Sequence, residues 1–294
     1  MSPEMRTALK NRGSTIPFFL VHAAALAALF FPLRWEMVAL AVGSYYLRMF
    51  GVTAGYHRYF AHRSYKTSRP FQFVLAFLAQ TSAQKGVLWW AGHHRAHHAY
   101  SDTEQDVHSP VRRGFWWAHV GWILSRDYDH TDFDRIKDFA RYPELRFLNR
   151  FKLLPAVLYA GAILAIWGWE GLFWGFFVST VALFHGTFFI NSLAHVFGRR
   201  RFPTEDTSRN GLLLALIANG EGWHNNHHYF QTSARQGFYW WEIDTTYYVL
   251  RALAALRIVR DLREPPAKVL ELGRHRVRRR ATALAFAPAA GAGK

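Results

Sequence analysis

An all-α integral membrane protein is the fold class this sequence predicts, with four transmembrane helices in two hairpins beneath a helical cytoplasmic cap that holds a histidine-rich dimetal site. Three observations predict it. Charge-poor apolar runs, each about 30 Å long as a helix, recur in pairs. The 294 residues are 51% hydrophobic and 17% aromatic, more than a solvated or disordered chain carries. Eleven of the sixteen histidines fall within residues 57–62, 93–108 and 195–228.

The first span is read over residues 14–33, where twenty positions carry no Asp, Glu, Lys or Arg. It follows Arg6, Lys10 and Arg12, as a signal peptide would, but its length and the lack of a small-residue cleavage site favour an uncleaved anchor. Residues 37–56 form the second span, broken only by Arg48, and the short link through Arg34, Trp35 and Glu36 makes the pair a hairpin. Residues 70–91 mix apolar positions with Gln72, Gln80, Ser82, Gln84 and Lys85. They are expected to lie along the interface as one helix, because a crossing there would part His57 and His62 from the later clusters. Residues 153–169 and 171–193 form the second hairpin, separated by Glu170 and rimmed by Trp167, Trp169 and Trp174.

The hairpin turns carry little positive charge, whereas residues 1–13, 57–69 and 112–152 are rich in Lys and Arg. That asymmetry puts both termini and the histidine clusters on the cytoplasmic side. The cap is expected from residues 92–152 and 194–272, completing a single domain over 1–272, and it brings the mean hydropathy to −0.08. Residues 273–294 read as a basic, unstructured tail, solvated or drawn to anionic lipid. Only the small H-x-x-H-H pattern repeats.

With 36 Lys and Arg against 20 Asp and Glu, the net charge of +16 suits an anionic partner. Nucleic acid is set aside, since the basic residues flank apolar helices without a reader motif. The absence of cysteine excludes disulfides, thiolate metal sites and iron–sulfur clusters, so any metal must take nitrogen or oxygen ligands.

Three clusters carry the chemistry: His57 with His62, His94 with His97 and His98, and His224 with His227 and His228. On a helix His94 and His98 share a face, whereas each adjacent residue is turned by about 100°. Adjacent histidines at 97–98 and 227–228 therefore suit two ions better than one. The five-residue step from His57 to His62 is expected to bracket both ions. His195 ends the fourth span on the same side, one turn after Asn191. Imidazole suits Fe, Zn, Cu and Ni alike, so spacing leaves the metal open. His22, His130, His185 and His275 are expected to be structural or surface residues, while His93, His108 and His119 stay divided between support of the site and ordinary packing.

The blocks GVTAGYHRYFAHRSY (51–65), HRAHH (94–98), RRGF (112–115), HVGW (119–122), NSLAH (191–195) and GEGWHNNHH (220–228) occur in an order that resembles the membrane-bound fatty-acyl desaturases, in the Δ9 acyl-CoA (stearoyl-CoA type) branch. The likeness runs from about residue 40 to 245. It implies two irons held by the nine histidines, with Asn191 reaching one of them through water; the same nitrogen cage would also take Zn in purified protein. It also implies O2-dependent insertion of a cis double bond near carbon 9 of a saturated acyl thioester. No flavin or dinucleotide fingerprint and no haem attachment motif is present, so a separate electron donor is expected: a ferredoxin, a rubredoxin-like protein, or a cytochrome b5-type protein with its reductase.

Departures from that branch qualify the headgroup. His93 stands where an Asp is usual, and Gly92 and Ser125 replace basic residues that hold CoA, leaving Arg126 as the phosphate contact. CoA is the leading headgroup, with acyl carrier protein or a glycerolipid as alternatives. The second span would line the bottom of an acyl tunnel, closed by Tyr45, Tyr46 or Met49, and Trp90 joins them as a substrate contact. Two rivals accompany this reading: a related di-iron lipid hydroxylase or decarboxylase, and a membrane metal transporter, disfavoured by the lack of a ligand path through the apolar spans.

Overall fold

The computed structural model describes residues 12–275. Arg6, Lys10 and the tail beyond His275 lie outside them. The principal helices are α1 (Arg12–Leu26), α2 (Trp35–Phe50), α3 (Arg69–Gln80), α4 (Val87–Tyr100), α5 (Leu154–Gly171), α6 (Ser179–Ser192), α7 (His224–Tyr229) and α8 (Thr245–Ala255). A two-residue antiparallel ladder, β1 (Lys66–Thr67) with β2 (Val259–Arg260), pairs Lys66 with Arg260 and Thr67 with Val259. The chain is thus mostly helical.

Two stretches are long and apolar enough to cross a bilayer, Trp35–Ala61 and Leu154–His195, and Thr15–Phe30 is a shorter apolar helix. The second stretch is bent back on itself. Gly168 leaves the helix with φ 66° and ψ −164°, a conformation open to glycine and costly for any residue with a Cβ. The hydroxyl of Ser44 on α2 meets both Tyr159 Oη (2.8 Å) and Ser179 Oγ (3.2 Å). Residues 159 and 179 therefore lie at one level, and the limbs on either side of Gly168 run antiparallel. The reversal falls two residues before Glu170, which the sequence reading placed between the two limbs. Glu170 instead accepts from Arg34 Nε at 3.1 Å, joining the bend after Gly168 to the residue before α2.

Arg48, the one charge inside the second apolar run, is fully buried. Its guanidinium donates to Thr180 Oγ1 (2.7 Å), to the carbonyls of Thr81 (3.3 Å) and Phe176 (3.4 Å), and to Ser179. Neutral oxygens from three segments thus replace its water.

Past Phe50 the helix widens without stopping into a π-helix over Gly51–Ala61. The amide of His62 donates to the carbonyl of His57 at 3.1 Å, a five-residue turn. α3 packs directly on this stretch: a Cβ at Gly51 would stand 2.9 Å from the backbone of Leu78 and Ala79. Ser68 caps α3 by accepting from the Phe71 amide, and Pro70 sits in its first turn.

The single interfacial helix expected over 70–91 is corrected by this arrangement. α3 ends at Gln80, Ala83 (φ 57°) and Lys85 (φ 70°) break the chain, and α4 begins at Val87. The polar residues that suggested a headgroup-facing surface point inward instead: Gln72, Gln80, Ser82 and Gln84 are all buried. Gln80 accepts from Val87 N (3.0 Å) and donates to Leu148 O (2.9 Å), so it bridges α3, α4 and the helix Pro143–Arg150.

The main core gathers Tyr56, Phe60, Leu75, Leu88, Leu145, Leu183 and Leu250 from the π-helix, α3, α4, α6, α8 and Pro143–Arg150. Each such side chain contributes about 1.5–3 kcal/mol by leaving water. A second cluster packs Trp89 of α4 with Trp117 and Trp122, the first and last of them stacked. These cores clamp the histidine-bearing elements from two sides.

Candidate metal centre

Four elements deliver the nine histidines: the π-helix (His57, His62), α4 (His94, His97, His98), the helical turn Leu193–His195, and α7 (His224, His227, His228). Their ring nitrogens gather into two groups, each with its nitrogens within 4.8 Å of one another: His57, His62, His94, His98 and His227, and His97, His195, His224 and His228. On α4 the i, i+4 pair 94–98 falls in the first group and His97 in the second. On α7 the pair 224–228 falls in the second and His227 in the first. The division of each adjacent pair follows from helical phase.

His57 and His62 do not bracket the two groups, as the sequence reading expected. Both belong to the five-membered group, because the π-turn lays residues five apart over one another, as four apart lie in an α-helix.

The Nε2 atoms meet edge to edge. His57–His227, His62–His94 and His94–His98 are each 3.0 Å apart, His98–His227 is 2.9 Å, and in the second group His195–His224 is 3.1 Å. Imidazole nitrogens about 2.1 Å from one ion and at right angles to each other are about 3.0 Å apart, so the spacing fits coordination of a shared cation. His228 Nε2 is buried without a partner among the described residues, a lone pair left for such an ion.

Outer carboxylates set the orientation of four rings. His97 Nδ1 is 3.1 Å from Asp106 Oδ2, His195 Nδ1 is 3.1 Å from Asp102 Oδ2, and His228 Nδ1 is 2.7 Å from Asp206 Oδ2. Glu221 pairs with His57 Nδ1 and with Arg58, and Gln236 Nε2 lies 3.2 Å from the same His57 nitrogen. A proton held on Nδ1 by a carboxylate leaves Nε2 free to bind metal.

Burial, reinforced by neighbouring imidazoles, pushes His62, His94, His98, His224 and His227 well below the usual histidine range. Burial also takes His228 down to about 4 against the pull of Asp206. Burial alone would lower His97 too, but Asp106 carries it above the ordinary value. The carboxylates of Asp102, Asp106 and Asp206 lie well below their usual range, where bonds to histidine overcome the cost of burial. Mostly neutral imidazoles inside a ring of carboxylates form a cation site.

Asn191 is half-buried on the last turn of α6 and makes no side-chain hydrogen bond among the described residues.

The fatty acid desaturase family model matches residues 33–261. The chain belongs to the fatty acid desaturase family. It is 36% identical over 257 residues to an sn-1 stearoyl-lipid 9-desaturase from Anabaena variabilis, covering 86% of this chain and 94% of that protein. It is 35% identical over 249 residues to an acyl-CoA 5-desaturase from Anemone leveillei, covering 83% and 77%. It is 37% identical over 279 residues to a hex-5-enoyl-[acyl-carrier protein] acetylenase from Moorena producens, covering 88% and 86%. The relatives are named for three different acyl carriers, so family membership by itself leaves the headgroup unassigned.

Trp90 stacks on His94 (4.9 Å between centroids) and on Tyr56 (5.4 Å), against the five-histidine group. Tyr45 and Tyr46 line an apolar cavity of about 560 Å³ shared with Trp174, His185, Phe189 and Ile217. Tyr45 Oη donates to Ile217 O at 2.8 Å, while Met49 is buried in the main core and does not line that cavity. Arg126 is exposed on the turn Arg126–Tyr128.

His108 shares Asp106 with His97, at 3.1 Å, and belongs beside the site. His93 binds the carbonyl of its own helix at Trp89 (3.0 Å) and stacks on that indole. His119 bonds Ser192 Oγ and His185 Nδ1, each at 3.0 Å, and both histidines stand apart from the two groups. The outer residues Asp102, Asp106, Asp206 and Gln236 escaped sequence reasoning. Asp102 and Asp106 follow His98 by four and eight positions, but α4 ends at Tyr100 and helical phase no longer reports on them.

Proposed function

We propose that this chain is an O2-dependent, di-iron fatty-acyl desaturase that introduces a cis double bond at Δ9 of a saturated acyl chain. One observation carries the reading: two groups of five and four convergent histidines on a single desaturase-family chain. The first iron would be held by His57, His62, His94, His98 and His227, and the second by His97, His195, His224 and His228, with Asn191 reaching it through water. With Asp244 offsetting Arg58, the carboxylates of Glu221, Asp102, Asp106 and Asp206 leave four negative charges to match two divalent ions, so a buried dimetal centre would be neutral overall. Zinc would fit the same nitrogen cage in purified protein.

Bound iron supplies O2 activation and the oxidising power to remove hydrogen from an unactivated methylene. The protein's own residues fix where that power is applied. Carboxylate-held Nδ1 protons orient His57, His97, His195 and His228. The indole of Trp90 walls the five-histidine group, and the apolar cavity beside Tyr45 and Tyr46 accepts methylenes and excludes water.

The membrane arrangement belongs to the same reading. Residues 14–33, 37–56, 153–169 and 171–193 would be four spans of a single domain over 1–272, with termini and metal centre cytoplasmic. The antiparallel limbs around Gly168 and the Arg34–Glu170 pair, which would join the hairpin tips, support it. Electrons would come from a separate donor protein.

A glycerolipid is the acyl carrier we favour over the CoA thioester. Gly92 and Ser125 offer no cation, Arg126 stands alone, and the Anabaena relative is named for a lipid-linked substrate. The test is the double-bond position, by mass spectrometry, in lipids of a desaturase-deficient host expressing the chain, beside His97→Ala. New Δ9 chains that vanish in the variant support the reaction; a hydroxylated or shortened product replaces desaturation with the rival oxidation. Purified enzyme offered stearoyl-CoA, stearoyl-acyl carrier protein or a saturated glycerolipid then decides the carrier.

A further inference from the structure

The two histidine groups differ in how close they come to the surface. All four histidines of the second group are buried, while His62, His94 and His98 of the first are half-buried. Electrons arriving from outside therefore have their shortest entry at the five-histidine group.

The surface around that entry is basic. Arg63 follows His62 directly and is 65% exposed, though it approaches Asp138 at 3.6 Å, and Lys66 in β1 is equally open. Arg251, Arg257, Arg260 and Arg263 are exposed on the facing segment. Lys66 is neutralised by Asp261 at 2.9 Å, and Arg251 approaches Glu264 at 3.7 Å. Arg257, Arg260 and Arg263 have no carboxylate partner among the described residues. A groove of about 590 Å³ runs between Arg251, Arg257 and Arg260, with Asp261 and Glu264, the partners of Lys66 and Arg251, also on its wall.

This patch is held in place at some cost. Arg63 (φ 53°), Arg257 (φ 59°) and Asp261 (φ 55°) take the left-handed backbone conformation, which side-chain-bearing residues avoid. Lys66 and Arg260 face each other across the ladder, where like charges repel. Two backbone bonds tie the patch to the metal site. Arg263 N donates to Ser64 O (2.9 Å), two residues from His62, and Ala234 N donates to Arg263 O (2.7 Å), two residues from the Gln236 that touches His57.

We infer that the arginines around β1–β2 form the docking surface for an acidic one-electron carrier protein, which reduces the centre through the five-histidine group. The inference rests on the dimetal oxidase reading above. An acidic partner satisfies the three unpaired guanidiniums, and the contact leaves one peptide between Arg63 and a ligand histidine. Two electrons per turnover enter as two successive encounters, each oxidising one reduced carrier, with protons taken from water.

The full-length, iron-loaded enzyme is mixed with pre-reduced plant-type ferredoxin, an acidic carrier, or with dithionite, and reduction of the centre is followed by absorbance. The triple variant R257E/R260E/R263E should be reduced by ferredoxin at least about tenfold more slowly than wild type at low ionic strength, and R257Q/R260Q/R263Q should lie between them. The difference should shrink as salt screens the charges, with dithionite reducing all three equally. Equal ferredoxin rates with normal dithionite reduction would overturn the docking surface, as would a wild-type centre that takes electrons from dithionite but none from ferredoxin. A variant that loses only its affinity for anionic vesicles makes the patch a lipid contact and also overturns it. A wild-type centre that neither reductant reduces contradicts the oxidase reading itself.

Discussion

Replacing Asp206 with asparagine removes one charge and leaves the outline of the side chain unchanged. Asp206 Oδ1 accepts from Ser208 N at 2.9 Å and Oδ2 holds His228 Nδ1 at 2.7 Å. An asparagine that keeps its oxygen on Ser208 turns its amide NH2 toward His228. Two donors then meet unless His228 gives up its Nδ1 proton and carries one on Nε2 instead, the atom aimed into the four-histidine group. The ring loses its metal-binding lone pair or its outer hydrogen bond. Loss of such an outer partner weakens metal affinity about 10–100-fold, or about 1.4–2.7 kcal/mol. Only one of the two ions should be affected. Titration of iron-loaded Asp206→Asn with a chelator, followed by metal analysis, should show one ion per chain leaving at a tenfold or more lower chelator concentration, with the other unchanged. Retention of both ions with wild-type chelator dependence would refute the assignment of Asp206 as the partner that orients His228.

Three further outcomes follow from the packing. Tyr45→Ala opens the cavity beside α2 and breaks the bond to Ile217 O, so acyl profiles from the expressing host should shift toward longer monounsaturated chains; an unchanged profile means that Tyr45 packs helix on helix without closing a tunnel. Arg48→Leu leaves the Thr81 carbonyl and the Thr180 hydroxyl buried without their donor, and should cost about 2–4 kcal/mol, seen as a lower thermal midpoint in detergent. Gly222→Ala puts a Cβ 2.1 Å from Ala215 N and 2.5 Å from Gly211 O, backbone that cannot swing aside, and should cost about 3 kcal/mol or more with loss of bound metal by elemental analysis.

Much of the centre was legible because helical phase is a local property. The spacing of 94, 97 and 98, and of 224, 227 and 228, divides each cluster between two ions before any fold is known. The step from 57 to 62 misled for the same reason: the inference assumed α geometry, and a π-helix changes which residues share a face. Polar residues in α3 and after it were read as surface because composition does not reveal a partner, and Gln80 finds its partners at Val87, Leu148 and Lys152. The outer carboxylates Asp102 and Asp206 reach the centre from loops, where no period in the sequence marks direction.

The π-stretch between Gly51 and Ala61 also sets how the two ends of one long helix relate. In an uninterrupted α-helix from Trp35 to Ala61, each residue's azimuth is locked to every other by about 100° per step. Each wide turn slips that phase, like a coupling between two shafts. The stripe of the lower helix that meets α5 and α6 and the stripe of the upper helix that presents His57 and His62 can then point in independently chosen directions. A deletion within 51–61 that restored α geometry would leave both stripes intact and rotate one against the other, so the chain would fold at both ends and misalign between them.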